Sequence, residues 1–370
     1  MKRIAAIIPY AYLPGQTGGQ KSFAGFYEHL GKKCEVYAIG VPENDVKLAT
    51  TYSLNPLLRS SVFRYADITA FFRIRNYLQK NKIEYLIIEH PYMGWLGWML
   101  KKTCAVKLIF HTHNIEYVRF KSIGKWWWRI LKWYEGWALR NADYVFCITE
   151  EDRQGMIRHL NISPVTSVHI PYGIHQFEAP ADKAEVKTKV CKDLAIPEET
   201  KLLFFNGKLD YYPNTEAIDL IIHQINPILI QSNLNYQILI AGKNLPEQYN
   251  ELRPWNNQRI HYLGFVDDIE QYTKASDILL NPVMSGGGVK TKMIEALGLN
   301  TTVVSTVTGA AGVTKEVCGK KLIITEDHNW KQFADAVISA ASTQQSDIPE
   351  RFYHEFSWKG IIEKALGFIN

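Results

Sequence analysis

Short apolar runs alternate with longer stretches of helical length along the whole chain. In the first half the runs are IAAIIPY (4–10), CEVYAIG (34–40), YLIIEH (85–90), KLIFHTH (107–113) and YVFCIT (144–149). Between them lie KSFAGFYEHL, SSVFRYADITAFFRIRNYLQK and GKWWWRILKWYEGWALR, which are amphipathic or helix-length. The second half repeats the rhythm with KLLFFNG (201–207), YQILIAG (236–242), IHYLGF (260–265), DILLNPV (277–283), TVVST (302–306) and KLIIT (321–325). Turn-bounded apolar runs separated by helices predict βα units and a parallel sheet. Pro171, Gly173 and Pro180 punctuate IPYGIHQFEAPADKAEV, which predicts a join at about 171–185. The expected fold class is α/β, with two doubly wound, Rossmann-like parallel-sheet domains. Ligands of such sheets sit at the carboxyl ends of the strands.

Composition agrees. A chain of 370 residues suggests two or three domains, at roughly 100–200 residues each. With 46% hydrophobic and 21% charged residues, it is neither disordered nor a small disulfide scaffold. The net charge of +5 conceals an asymmetry: residues 1–175 carry 23 Lys and Arg against 13 Asp and Glu, the remainder 19 against 24. A basic first half suits something anionic, such as a phosphorylated substrate or a membrane surface. Nucleic acid is disfavoured, because the positive charge is confined to one half and no recognition motif occurs.

Cys34, Cys104, Cys147, Cys191 and Cys318 are scattered and odd in number, which reads as reduced thiols in a cytoplasmic protein without a zinc site. No stretch has the roughly 20 predominantly apolar residues of a membrane span. The start, MKRIAAIIPYAYLPG, imitates a signal peptide, but its apolar core ends at Pro9 and no small-residue cleavage site follows.

The most informative segment is DILLNPVMSGGGVKTKMIEALGLNTTVVST. A strand ends at Val283, the triplet Gly286-Gly287-Gly288 follows, and a helix is expected from about Val289. Free N–H groups and the positive end of a helix dipole suit a diphosphate there, and glycines let it approach the backbone. Lys290 and Lys292 supply charge, and Glu295 could accept two ribose hydroxyls. The spacing is not that of a P-loop.

With these residues in place, the chain resembles the family 4 glycosyltransferases of the GT-B fold. The resemblance is carried by TGGQKSF, HTHNIEY, YVFCITEED with IPYGIHQF, FNGKLDYYPNTEAI, LIAG, HYLGFVDDIEQYTKASDILLNP and GGGVKTKMIEALGLNTTVVST, in that order. It implies an acceptor-side domain over 1–172, a nucleotide-sugar-binding domain over 173–352, and a helix over 353–370 that could cross back to the first domain. It implies that His113 touches the transferred sugar and that Gly18 and Gly19 let the first loop close on the donor phosphates. Gly207 would shape a phosphate-side loop, Phe265 and Val266 would line the base, Lys292 would bind the diphosphate and Glu295 the ribose. Gly287 stands where the family often has a glutamate, which argues against a glutamate nucleophile from this loop.

His111 and His113 alternate along one strand and so share a face. An H-x-H pair can hold a metal, but no third ligand stands at metal spacing, so no metal or other cofactor is expected. Glu116 could orient His113 or cap the next helix. Residues 121–140 mix five tryptophans with basic residues. Trp126, Trp133 and Trp137 fall at helical spacing and suit a core, yet three consecutive tryptophans cannot all face one. A basic-aromatic helix also suits a membrane interface.

The expected activity is sugar transfer from a nucleoside-diphosphate sugar to a glycan or lipid-linked acceptor of a cell-envelope or exported glycan, with retained anomeric configuration. Alternatives are a nucleotide-sugar epimerase of the same fold and an inactive nucleotide-sugar-binding subunit. The expected location is cytoplasmic or at the inner face of the membrane.

Overall fold

The structure, a computed structural model, describes residues 1–15, 17–286, 288–343 and 346–370. The chain forms two compact units, one of Met1–His175 with Trp358–Asn370 and one of Gln176–Ser357. The divisions therefore fall after His175 and Ser357 rather than after 172 and 352. Packing explains the shift. Ile170, Tyr172 and Ile174 are buried in the first unit, and the Trp358 amide donates to the Ile174 carbonyl at 3.0 Å. A Cβ on Gly173 or on Gly25 would lie 2.4 Å from the Trp358 ring, so both glycines make room for that indole.

The first unit holds a seven-stranded parallel sheet: β1 (Arg3–Ile7), β2 (Glu35–Ile39), β3 (Ser53–Asn55), β4 (Tyr85–Glu89), β5 (Lys107–Thr112), β6 (Tyr144–Cys147) and β7 (Ser167–His169), in the order 3-2-1-4-5-6-7. The edge strands β3 and β7 were not expected; each has only three residues and no continuous apolar run. Ile4 to Ile7 are all buried, as in a sheet covered on both faces.

One face packs against α1 (Gly18–Gly31) and the last helix, Trp358–Phe368, through Phe23, Phe26, Leu30, Ile361 and Ile362. The other face carries α2 (Ile68–Lys80), α3 (Gly94–Cys104), α4 (Glu116–Ser122), α5 (Trp128–Arg140) and α6 (Glu150–Leu160) over Ile74, Leu96, Leu131, Leu139 and Met156. The strand order reverses between β1 and β4, which opens a crevice at their carboxyl ends.

The second unit holds six parallel strands where six runs predict them: β8 (Lys201–Asn206), β9 (Tyr236–Ala241), β10 (Ile260–Gly264), β11 (Ile278–Asn281), β12 (Thr302–Thr306) and β13 (Leu322–Thr325). Their order is 10-9-8-11-12-13, with the reversal between β8 and β11. Among the described residues, no helix is long and apolar enough to cross a membrane.

Candidate functional site

In the second unit, the candidate residues gather at the reversal between β8 and β11. The helix expected from Val289 begins at Thr291 and runs to Gly298, with Lys290 at its N-cap. Gly286 and Gly288 have φ of +86° and +72°, left-handed values that favour glycine. Gly287 lies outside the described residues. The Lys290 ammonium turns back to the carbonyls of Gly286 and Gly288, at 2.7 and 3.1 Å, so it ties the turn together.

Lys292 reaches across to β8. Its Nζ donates to the Asn206 carbonyl at 2.9 Å and to Asn214 Oδ1 at 3.0 Å, and lies 4.0 Å over the Phe205 ring. Both acceptors are neutral oxygens. Burial, with Lys290 adding repulsion, pushes the Lys292 ammonium down to about 7. A cation so placed at a helix start gains more from an arriving anion than a hydrated surface lysine would.

Asn214 also donates to the Lys208 carbonyl at 2.9 Å, and a Cβ on Gly207 would lie 2.6 Å from its amide nitrogen. Gly207 therefore permits a close turn beside Lys292. Oδ1 of Asn206 and Oδ1 of Asn281, at the ends of β8 and β11, are buried without a hydrogen-bond partner. Such orphaned acceptors cost about 1–3 kcal/mol each until a donor reaches them. Glu295 is half-buried on the helix. Phe265 follows the edge strand β10, is 57% exposed, and carries the Lys243 ammonium 3.9 Å over its ring; Val266 beside it is half-buried.

The first unit has its own polar cluster at the ends of β4 and β5. Glu89, fully buried, meets His113 Nε2 at 2.7 Å and His111 Nδ1 at 3.1 Å, and accepts from the Tyr27 hydroxyl of α1. Burial alone would raise the Glu89 carboxyl, but the two imidazoles outweigh it and hold the carboxyl far below its ordinary value. Burial and His111 push His113 down to about 4, against the pull of Glu89. The arrangement is thus a buried carboxylate with three donors: a tyrosine O–H and one ring N–H from each of the two imidazoles. The His113 ring also packs 4.7 Å from Phe23 and 4.8 Å from His90.

No third metal ligand was expected beside His111 and His113, yet Glu89 is one by type, and the ligand atoms of the three lie within 4.8 Å of one another. Glu89 comes from β4, so chain spacing does not reveal it. The hydrogen bonds among the three account for their arrangement.

Glu116 orients a histidine, but it is His90, at 3.0 Å from Nδ1. It also accepts from Tyr92 and from Arg119. The helix cap is supplied instead by Glu135 of α5, whose two carboxylate oxygens accept the Glu116 and Tyr117 amides at 2.9 Å each. Gly18 and Gly19 form the first residues of α1, behind a Thr17–Gln20 capping box, and a Cβ on Gly19 would meet open space. Of the tryptophans, Trp126 and Trp133 are 81% and 68% exposed, whereas Trp127, Trp128 and Trp137 are half-buried against the core. The core spacing therefore holds for Trp137 alone of the three at helical spacing.

The family model described as Glycosyltransferase Family 4 matches residues 18–176, and that described as Glycosyl transferases group 1 matches residues 200–343. The chain belongs to the family 4 glycosyltransferases. This glycosyltransferase is 23% identical over 243 residues to the UDP-Gal:α-D-GlcNAc-diphosphoundecaprenol α-1,3-galactosyltransferase of Escherichia coli, a match spanning 63% of this chain and 60% of that enzyme. Among solved structures, sucrose-phosphate synthase from Thermosynechococcus elongatus superposes with a TM-score of 0.73 at 16% identity, covering 100% of this chain and 98% of that one. Anabaena Alr3699/HepE, in complex with UDP, gives 0.73 at 12% identity, covering 100% and 99%. These likenesses show the GT-B fold.

Among the residues of these clusters that sequence reasoning passed over are Glu89, Asn206, Asn214 and Asn281. The only signal for them was position, since Glu89, Asn206 and Asn281 each end a strand run. Asn214 had none, because it acts from a helix that begins at Tyr212.

Proposed function

We propose that this glycosyltransferase transfers a sugar from a nucleoside-diphosphate sugar to an acceptor of cell-envelope or exported glycan synthesis. The observation that carries this reading is Lys292, a half-buried ammonium at a helix start whose acceptors among the described residues are neutral oxygens. The curated relative named for UDP-galactose transfer and the neighbour in complex with UDP support uridine as the base to try first.

In the proposed reaction the bond between the sugar C1 and the departing phosphate oxygen breaks, and its electron pair leaves with the diphosphate. The acceptor hydroxyl oxygen bonds to C1 from the same face, so configuration is retained, and its proton passes to the departing phosphate oxygen. Lys292 and the N–H groups at the start of the Thr291–Gly298 helix stabilise the developing charge without a metal. Asn206, at the end of β8 beside Lys292, offers an acceptor that a donor hydroxyl can satisfy. Glu295 takes the ribose, Phe265 and Val266 the base, and His113 positions the sugar.

Thermal unfolding with UDP-, GDP- and dTDP-sugars, followed by detection of sugar transfer or slow donor hydrolysis in EDTA, tests the reading. A donor at a hundred times its dissociation constant adds about 2.7 kcal/mol. Stabilisation by no nucleotide sugar contradicts it, isomerised donor identifies an epimerase, and binding without turnover identifies an accessory subunit.

A further inference from the structure

We propose that the outer surface of the α2–α5 layer of the first unit docks on an anionic lipid bilayer. Two segments far apart in sequence contribute to it. Around α5, Ile123, Trp126, Ile130 and Trp133 expose more than half of their surface. Around α2, Val62, Phe63, Ile68 and Phe72 do the same.

Both segments belong to helices that pack on the same face of the sheet, so their outward sides belong to one layer. α3 lies between them. Its Trp95 donates to the Tyr65 carbonyl at 2.7 Å, and its partly exposed Trp98 packs 6.1 Å from Trp137 of α5. Isolated exposed apolar residues are ordinary, but clusters of large ones on a single layer mark an interaction surface.

Charge selects the occupant. From Val118 to Tyr134 the chain carries Arg119, Lys121, Lys125, Arg129 and Lys132 and no acidic residue, and from Ile68 to Ile83 it again carries none. Of the four acidic residues that flank these stretches, Glu116, Glu135 and Asp67 are buried and already bonded within the unit, and the exposed Glu84 lies past the end of α2, where it accepts the Arg3 amide at 3.0 Å. The exposed face is therefore apolar and cationic.

A second copy of the chain would set these cations against their own kind. A bilayer with anionic headgroups accepts both components, apolar rings into the acyl boundary and ammonium groups at the phosphates. Ile130 and Trp133, three residues apart on α5, share one side of that helix, and the exposed Trp126 stands in the turn just before it, with Lys125 and Arg129 also exposed beside them. No helix among the described residues crosses a membrane, so the contact is a surface one.

The test is flotation of the full chain with phosphatidylglycerol–phosphatidylcholine vesicles and with phosphatidylcholine vesicles. Binding is expected only with phosphatidylglycerol, and is expected to weaken as salt shortens the screening length from about 8 Å at 0.15 M to about 3 Å at 1 M. Lys125→Gln with Arg129→Gln is expected to weaken binding roughly thirtyfold, the effect of two lost cations at an anionic surface. Trp126→Ser with Trp133→Ser is expected to weaken it as well. Should the tryptophan pair disturb folding by circular dichroism, the charge pair carries the test alone.

Absence of binding to anionic vesicles at low salt, or unchanged binding by the charge variant, overturns the proposal. Concentration-dependent dimerisation abolished by the tryptophan variant would assign the face to a second copy and also overturn it. Nucleotide binding is the separate control, because the donor residues lie in the other unit. Its loss in the unaltered chain would count against the proposed donor and leave the vesicle result standing.

Discussion

Glu89 Oε2, at the end of β4, lies 2.7 Å from His113 Nε2, just past the end of β5. The carboxylate also meets His111 at 3.1 Å and accepts the Tyr27 hydroxyl, so it faces three donors in a buried setting. The consequence is a preferred tautomer: with Nε2 carrying the hydrogen towards Glu89, Nδ1 of His113 is left as an acceptor for a substrate hydroxyl.

Glu89→Gln replaces an acceptor of three donors by an amide that must itself donate, and the imidazoles must rotate or change tautomer. We expect kcat to fall on the order of a hundredfold, as misplacement of a contacting group by about 1 Å can do, with nucleotide affinity unchanged. A Glu89→Gln variant of normal kcat would remove Glu89 as a positioning residue. His113→Ala is expected to lose transfer and keep nucleotide binding, whereas the reverse outcome would place His113 away from the sugar.

Glu135 gives a pH dependence of stability. Burial raises its carboxyl to about 7, against the two amides it caps and with repulsion from Glu116 and Asp152 adding to the rise. The folded state thus holds this proton more tightly than the unfolded chain does. Its contribution is fully present below the ordinary glutamate value of about 4.3 and is lost as pH rises through about 7. Denaturant unfolding of the wild type and of Glu135→Gln between pH 4.5 and 7.5 is expected to show the steeper decline in the wild type. Parallel profiles would contradict it.

The seat of Trp358 predicts a packing defect. A Cβ on Gly25 would meet the indole at 2.4 Å, well inside contact distance. Gly25→Ala is expected to destabilise the first unit by about 1–3 kcal/mol through overpacking, despite the better helix propensity of alanine. Thermal unfolding of the variant measures it, and an unchanged or raised midpoint would mean that the last helix yields.

Most of the architecture was legible because buried strands are long apolar runs. All six strands of the second unit stand where their runs are, and so do the five longer strands of the first. β3 and β7 escaped because three residues at a sheet edge leave no periodic signal. The Gly286–Lys292 segment was legible because its residues are consecutive, whereas the Glu89 cluster was not. Glu89, His111 and Tyr27 come from three separate elements, and only the parallel register of β4 beside β5, which pairs Glu89 with His111, brings them together. Glu116 shows the same limit. Its position at a helix start suggested a cap, but Glu135 from the neighbouring helix fills that role and frees Glu116 for His90.

Proton uptake on nucleotide binding tests the account most directly. Because the Lys292 ammonium is pushed down to about 7, much of it is neutral at pH 8 in the free protein, and a bound diphosphate should restore the proton. Titration calorimetry with UDP, GDP or dTDP at pH 8, in two buffers of different ionisation enthalpy, reads this uptake. The expected result is uptake approaching one proton per nucleotide, affinity that falls as pH rises above 7, and loss of both effects in Lys292→Met with an intact fold. Equal affinity and equal proton balance in the wild type and Lys292→Met, or no binding of any of the three nucleotides, would contradict the placement of the donor diphosphate at Lys292.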